Sequence, residues 1–339
     1  IGWAEQDPRD WWRASVAAIR KVLSSVAFGA DAIGAVSFSG QMHGSVFLDE
    51  KDEVIRPALL WCDQRTEKQC GEITKKIGAT RLIELVSNPA ITGFTLPKIL
   101  WLRENELQNW ERVRCILLPK DYVRLRLTGD KASDVADSSG TLLFDVVNRR
   151  WSQEILDAME IDKDLMPPVY ESIEVTGKVS AAGAEATGLI AGTPVIAGAG
   201  DNAAGAIGMG IVQPGTVSAT IGTSGVVFVV TEKPTLDLKG RTHTLCHAIP
   251  NRWHMTGVTL GAGLSLKWFR DNFGGGADFA TLGDEAAKVS AGSDGASWLP
   301  YLMGERTPHL DPHARAAFIG LTASHTRGHL PDGVVRRFP

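Results

Sequence analysis

The sequence predicts an α/β protein of two domains, and three observations carry that expectation. A length of 339 residues corresponds to about two domains at roughly 150 residues each. Strand-like apolar runs alternate with helical ones, the pattern of mixed layers around shared cores. Near residue 194 the pattern changes to Gly/Ala-rich stretches and a hairpin, which places the boundary close to residue 211, with one domain over 1–211 and another over 212–339.

The elements follow in order. Asp7 or the Pro8 region starts a helix in which Trp12, Val16, Ile19 and Leu23 recur at helical spacing. SFSG (37–40) reads as a strand end and VFLDE (46–50) as a second strand; residues 66–86 read as one helical segment. In FTLPKILWLRENE, Pro97 suits a first helical turn. RCILLPKDYVRLRLTG is a strand leading to a helix that stops at Gly129, and SDVADSSGTLLFDVVNRRW is a turn-rich polar loop entering a strand. Residues 152–170 read as a helix ending at Pro167-Pro168. TPVIAGAGD is an apolar strand entering a small-residue helix, and GTVSATIGTSGVVFVV is a hairpin turning at Gly222-Thr223-Ser224-Gly225. HTLCHAI and WHMTGVTL read as strands, GAGLSLKWFRDNF as a helix opening on glycines, and Pro331-Asp332-Gly333 as a turn.

Composition narrows the function. Apolar residues make up 44% and charged residues 22%, ordinary for a globular chain, and a net charge of −4 without a basic run argues against nucleic acid or an anionic membrane as partner. Four scattered cysteines form no CxxC pair, which suggests reduced thiols in a cytoplasmic protein. The most apolar window, residues 195–212, is Gly/Ala-rich and interrupted by Asp201, a poor membrane span. No basic-then-apolar leader is visible, and the start without Met in mid-motif implies that something precedes it.

Several residues are candidates for chemistry. In SGQMHG, Gly40 and Gly44 flank Gln41, Met42 and His43, and glycine permits a tight or positive-φ turn that aims polar groups at a ligand. Taken alone, these residues read as a plain turn. In GAGDNAAGAIG, Asp201 follows a strand: it is either a helix N-cap or a carboxylate placed for acid–base work beside Asn202. A nicotinamide fingerprint is disfavoured, since no acidic residue follows about 20 positions on and Asp201 would repel a pyrophosphate. IGTSG offers the backbone of Gly222 and the hydroxyls of Thr223 and Ser224 to phosphate, or is a hairpin turn only. Gly261-Ala262-Gly263 opens a helix, as an anion contact or as close packing. HTLCH (243–247) and HLDPH (309–313) imitate metal ligands, but strand spacing and a proline argue against ligation. In WCDQRT, Asp63 and Arg65 read as an internal salt bridge.

Taken in order, GWAEQDP, SGQMHG, LLWCDQRT, FTLPKILWLRENE, LPKDYVRLRLTG, SDVADSSGTLLFDV, GAGDNAAGAIG, TVSATIGTSG and LPYLMGERTPHLDPHARAAFIGLT resemble the FGGY family of carbohydrate kinases over residues 1 to about 330. The resemblance implies a two-domain actin-like ATPase (RNase H-like) fold whose cleft closes on sugar and excludes water. It implies ATP-dependent phosphorylation, with Asp201 as general base and Asn202 on an adjacent hydroxyl. Gln41, Met42 and His43 would line the sugar site, and the Gln-Met-His triplet with YLMGERTPHLDP points toward D-xylulose. Gly222, Thr223 and Ser224 would cradle ATP phosphates, Gly263 would approach the nucleotide, and Mg²⁺ would reach Asp201 through water.

The chain departs from the family's pattern at both ends. It starts downstream of the family's N-terminal phosphate hairpin, and after GLT its text changes to PDGVVRRFP instead of an adenine-binding motif. The expectation is an incomplete second domain and weak or absent turnover. Alternatives are a sister kinase for ribulose, gluconate or a polyol, and a non-catalytic sugar-binding remnant. The expected partners are a sugar and ATP, with a homodimer as candidate assembly.

Overall fold

The structure, a computed structural model, describes residues 2–311 and 313–331. The turn signalled by Asp332-Gly333 and Pro312 of HLDPH lie outside the described residues. The chain divides into two compact units. The first runs to Pro214 and takes in Val230–Leu238 and Thr244–His254; the second comprises Gly215–Val229, Lys239–His243 and the chain from Met255 onward.

In the first unit, helix Pro8–Ser25 begins where Asp7 accepts the Arg9 N–H and Pro8 fills a position that needs no donor. Its Trp12, Ile19 and Leu23 pack on Leu127, Val179, Leu189 and Val195. Strand Val46–Leu48 pairs antiparallel with Cys115–Leu117. Around that pair Phe47, Ile116, Leu96, Ile99 and Leu102 form the main core, together with Ile73 and Leu82. The single helix expected over 66–86 is two, Glu67–Ile77 and Ala79–Val86. The break falls at Gly78, whose φ of 92° no helix accommodates. The helix expected over 152–170 is only Gln153–Met159, because Glu160 adopts a left-handed φ of 56° and closes it.

The third correction matters most for the site. SDVADSSGT is not a solvated loop: Ser133, Asp134, Asp137, Ser138, Ser139 and Thr141 are all buried. Asp134 caps the short helix Val135–Ser138, accepting from Ala136 N and Asp137 N, and also takes the Ser172 hydroxyl at 2.7 Å. Its other oxygen faces Lys120 Nζ at 2.8 Å. Lys120 also meets Asp121 at 2.5 Å and Asp137 at 3.6 Å, so one buried ammonium faces three buried carboxyl groups. Burial pulls the lysine pKa down, but the three aspartates outweigh it and hold the group charged. Burial pushes Asp121 and Asp137 up, the latter well above the carboxylate range despite Lys120. The charges on Asp121, Asp134 and Asp201 push Asp137 in the same direction as burial does.

In the second unit, Val217–Ile221 and Gly225–Thr231 form the expected hairpin, in register from Val217 opposite Val229 to Ile221 opposite Gly225. Trp253–Thr259 continues that sheet beyond Gly225–Thr231. Helix Gly263–Phe273 brings Trp268 onto Trp298 with ring centroids 5.5 Å apart, and Phe318 closes the aromatic core at 4.4 Å from Trp298. Among the described residues no helix is long and apolar enough to cross a membrane.

Two measurements test the buried polar groups. Removing the one cation from a buried carboxyl cluster leaves charge uncompensated. Lys120→Met is expected to lower the urea unfolding free energy by about 3–5 kcal/mol, and an unchanged midpoint refutes the account. Burial also pushes His243 and His254 down to about 3. Between pH 6.5 and that value the unfolded chain binds protons that the folded chain refuses. Their contribution is therefore complete above pH 6.5 and lost on acidification. The fall in Tm between pH 7 and 4.5 should shrink in His254→Leu; an equal fall contradicts it.

Candidate functional site

The site begins with two short strands far apart in sequence. Ser39–Gly40 and Ala199–Gly200 pair in parallel, Ser39 opposite Ala199 and Gly40 opposite Gly200. Parallel pairing sets both C-terminal ends side by side, the edge at which open α/β sheets gather ligands. The first strand runs out into Gln41, Met42 and His43, the second into Asp201 and Asn202. Five residues singled out from the sequence thus meet at one edge, with Asn202 Nδ2 4.0 Å from Met42 Sδ.

The turn after Gly40 is built differently from the sequence expectation. Its left-handed residue is His43 itself, with φ 68°. The flanking glycine serves close approach instead: a Cβ on Gly44 would stand 2.5 Å from Pro119 Cγ. His43 is held through both its ring and its carbonyl. Its Nδ1 lies 2.7 Å from the Gly140 carbonyl, which only accepts, so Nδ1 carries a proton. Its ring stands edge-on to Phe94 at 4.5 Å. Its carbonyl accepts from Lys98 Nζ at 2.8 Å and from the Thr95 hydroxyl at 3.1 Å. Gly140 must be glycine here, since a Cβ would press within 2.5 Å of His43 Cε1.

Asp201 is not a helix cap. The cap position of helix Asp201–Gly208 is Gly200, and Asp201 is the first helical residue. Its Oδ1 accepts from Asn202 N at 2.8 Å and from Asn202 Nδ2 at 3.2 Å. Asp201 lies exposed, yet the protein crowding one side of its carboxyl raises the pKa above the usual range against the opposing Asn202 N–H. Behind the strand end stands buried Asp137: a Cβ on Gly200 would sit 3.4 Å from its Oδ1. Asp201 is among the charges that push the Asp137 pKa up. The arrangement is an open carboxylate backed by a buried carboxyl group, with an imidazole and two amides alongside. That set can accept a proton from an alcohol and hold neighbouring hydroxyls.

In the second unit, Gly222, Thr223 and Ser224 form the exposed hairpin turn, closed by Gly222 N donating to Ser224 O at 2.9 Å. The opening of helix Gly263–Phe273 reaches the same turn: Gly263 N donates to Gly222 O at 2.8 Å and Leu264 N to Thr223 O at 3.1 Å. A Cβ on Gly263 would fall 2.5 Å from Gly222 O. Gly263 therefore packs on the turn through its backbone, and the helix buttresses the two hydroxyls. Asp63 and Arg65 form the expected internal ion pair at 2.7 Å, with Arg65 stacked between Trp3 and Trp101 at 3.8 and 4.7 Å. Among the described residues no group of three His, Cys, Asp or Glu is arranged to hold a metal ion.

Sequence reasoning missed Lys98, Lys120, Asp121, Asp134, Asp137 and Gly140. The available signal was local. Lys98 and Lys120 each sit in an apolar helical run, and Asp134 and Asp137 in a serine-rich one, where burial demands partners.

The comparisons with known proteins follow this geometry. The model of the FGGY family of carbohydrate kinases, N-terminal domain, matches residues 1–208, and that of its C-terminal domain matches residues 217–335. A xylulose kinase of Lactococcus lactis subsp. lactis is 44% identical over 339 residues, which span 98% of this chain and 66% of that protein. Among solved structures, a "xyloylose kinase" from Brucella ovis matches with a TM-score of 0.91 at 38% identity, over 98% of this chain and 67% of that one. A gluconate kinase from Lactobacillus acidophilus matches with a TM-score of 0.93 at 25% identity, over 98% and 67%. The chain thus spans just under two thirds of the length of the Lactococcus relative. With both domain models matched in order, the chain has the two-domain fold of the FGGY carbohydrate kinases and belongs to that family.

Proposed function

We propose that the chain is a sugar kinase that transfers the γ-phosphoryl of ATP to the terminal hydroxyl of D-xylulose. The observation that carries this reading is the open carboxylate of Asp201, first in its helix rather than at the cap position, beside the Gln41–His43 turn. The 44% identity to a protein named xylulose kinase supports the choice of sugar. In this reading residues 1–211 bind the sugar and residues 212–339 the nucleotide. Four free cysteines and the need for ATP support a cytoplasmic setting.

The mechanism follows from the groups present. A sugar hydroxyl is a weak nucleophile, so a carboxylate within hydrogen-bond reach orients it and takes its proton as the P–O bond forms. Asp201 fills that role, while Asn202, Gln41, His43 and the Met42 backbone hold the remaining hydroxyls. Burial and neighbouring charge disfavour a second negative charge on Asp137 behind Gly200. Thr223 and Ser224 bind ATP phosphate oxygens at the turn that Gly222 closes and Gly263 buttresses. Mg²⁺ binds through few carboxylates and many waters and phosphate oxygens, which the single open carboxylate of Asp201 fits through water. When bound it neutralises charge on the phosphates.

Gluconate is the second reading, favoured by the fold match to a gluconate kinase. One experiment separates these: ADP release with Mg-ATP and D-xylulose, D-ribulose, gluconate or glycerol, beside Asp201→Ala. Xylulose-dependent turnover is expected, falling at least about a hundredfold in the variant, the lower range for a general base. Because the base acts deprotonated, kcat should fall as pH drops through the raised Asp201 pKa. Turnover with gluconate alone overturns the sugar assignment, and turnover unaffected by Asp201→Ala overturns the base. Calorimetric binding of xylulose without turnover indicates a sugar-binding remnant instead.

A further inference from the structure

Helix Thr95–Asn105 carries a lysine for which the proposed reaction has no use. Lys98 is fully buried, at 0% exposure. Its Nζ donates to the carbonyl of His43 at 2.8 Å and to that of Gly93 at 2.8 Å. Among the described residues it forms no ion pair with a carboxylate.

An ammonium buried without a counter-ion is costly, and its helix neighbours Leu96, Ile99, Leu100 and Leu102 are all buried apolar residues. Packing alone therefore asks for a methionine or leucine at this position. What lysine adds is a tie between two segments, the turn at His43 and the approach to the helix at Gly93. The His43 carbonyl belongs to a residue held at φ 68°, a conformation that a non-glycine residue keeps only when its surroundings impose it. Lys98 and the Thr95 hydroxyl together supply that constraint from one helix end.

We propose that Lys98 is a positioning residue that clamps the His43 carbonyl and so holds the Gln41–Met42–His43 turn in its ligand-facing conformation. The proposal rests on reading that turn as the sugar contact. The clamp is charge-assisted, so its strength follows the charge on Lys98. Burial lowers the Lys98 pKa to about 7, against the pull of Asp63. Cys62 and Cys70 also favour the charged form, Arg65 opposes it, and the His43 ring lies on the turn itself.

Two pH effects of opposite sign follow. Below pH 7 the ammonium is present and the clamp is at full strength, so sugar affinity falls as pH rises through about 7. Stability moves the other way: the unfolded chain still holds this proton up to its ordinary value of 10.5, so folding is favoured as pH rises across that window. A lysine that merely filled space would change stability with pH without moving affinity.

The test compares the full wild-type chain with Lys98→Met and Lys98→Arg. One readout is the ¹⁵N signals of the His43 ring, assigned with His43→Gln; the other is D-xylulose calorimetry, both from pH 5.5 to 9. Lys98→Met should fold with a Tm at pH 6 no lower than wild type. Its His43 signals should move, and its affinity should weaken by about tenfold or more, the size of one lost charge-assisted hydrogen bond. The affinity step near pH 7 should vanish. Lys98→Arg, which stays charged, should recover affinity and show no step. Unchanged His43 signals in Lys98→Met, or a step near pH 7 that survives in Lys98→Arg, overturns the clamp. Should the methionine variant not fold, the arginine variant decides. If wild type binds no xylulose, the sugar reading fails while the His43 signals still decide the clamp.

Discussion

The parallel pairing of Ser39–Gly40 with Ala199–Gly200 is the constraint on which the site depends. Each strand is two residues long, too short to hold its register by ladder hydrogen bonds alone. What fixes it is packing at the strand ends. Gly200 brings Met42 so close that a Cβ there would stand 2.6 Å from Met42 Cγ, and Gly40 does the same to Lys120 at 2.7 Å. A one-residue slip would turn each side chain to the opposite face and drive bulk into these contacts. Register, turn conformation and the placement of Asp201 are thus one decision.

That decision is reinforced by buried charge rather than by apolar packing alone. Lys120 gathers Asp121, Asp134 and Asp137 beneath one strand end, and Lys98 holds the turn beyond the other. Buried ion clusters contribute little net stability, because desolvation offsets most of the attraction. They do penalise every arrangement that leaves a member unpaired, and so they favour one geometry over its near neighbours. Lys120 is outnumbered by carboxyls while Lys98 has carbonyls for partners, so the two lysines differ in kind. One stays charged and structural; the other is poised to titrate near neutral pH.

The regular features of the chain were legible in its sequence. Asp7-Pro8 starts the first helix, Gly129 stops the helix Pro119–Thr128, and the hairpin turns where IGTSG says it should, because each signal is a local backbone preference. The failures share a cause. Helices 66–86 and 152–170 were overextended because a positive φ at Gly78 or Glu160 leaves no mark on apolar periodicity. SDVADSS read as a turn-rich polar loop, whereas its side chains are buried and its aspartates gather around a lysine in the interior. At the site, residue type and glycine context left Gln41, His43 and Asp201 open between a plain turn or cap and a ligand contact, and only the family resemblance singled them out. The residues that position them were not singled out, since Lys98 and Asp137 act through long-range contacts that only the fold creates.

The same division bears on sugar choice. A "xyloylose kinase" and a gluconate kinase match this chain with TM-scores of 0.91 and 0.93, so backbone architecture does not discriminate between their named ligands. Discrimination must come from a few side chains whose buried polar atoms would be left unpaired by the wrong sugar. Gluconate brings a carboxylate, and the described edge of the first unit already carries Asp201 with Asp137 behind it. An anion placed there would meet like charge, whereas a neutral ketose meets donors and acceptors in Gln41, His43 and Asn202. On the proposed reading, electrostatics at this edge favours a neutral polyhydroxyl ligand over an anion.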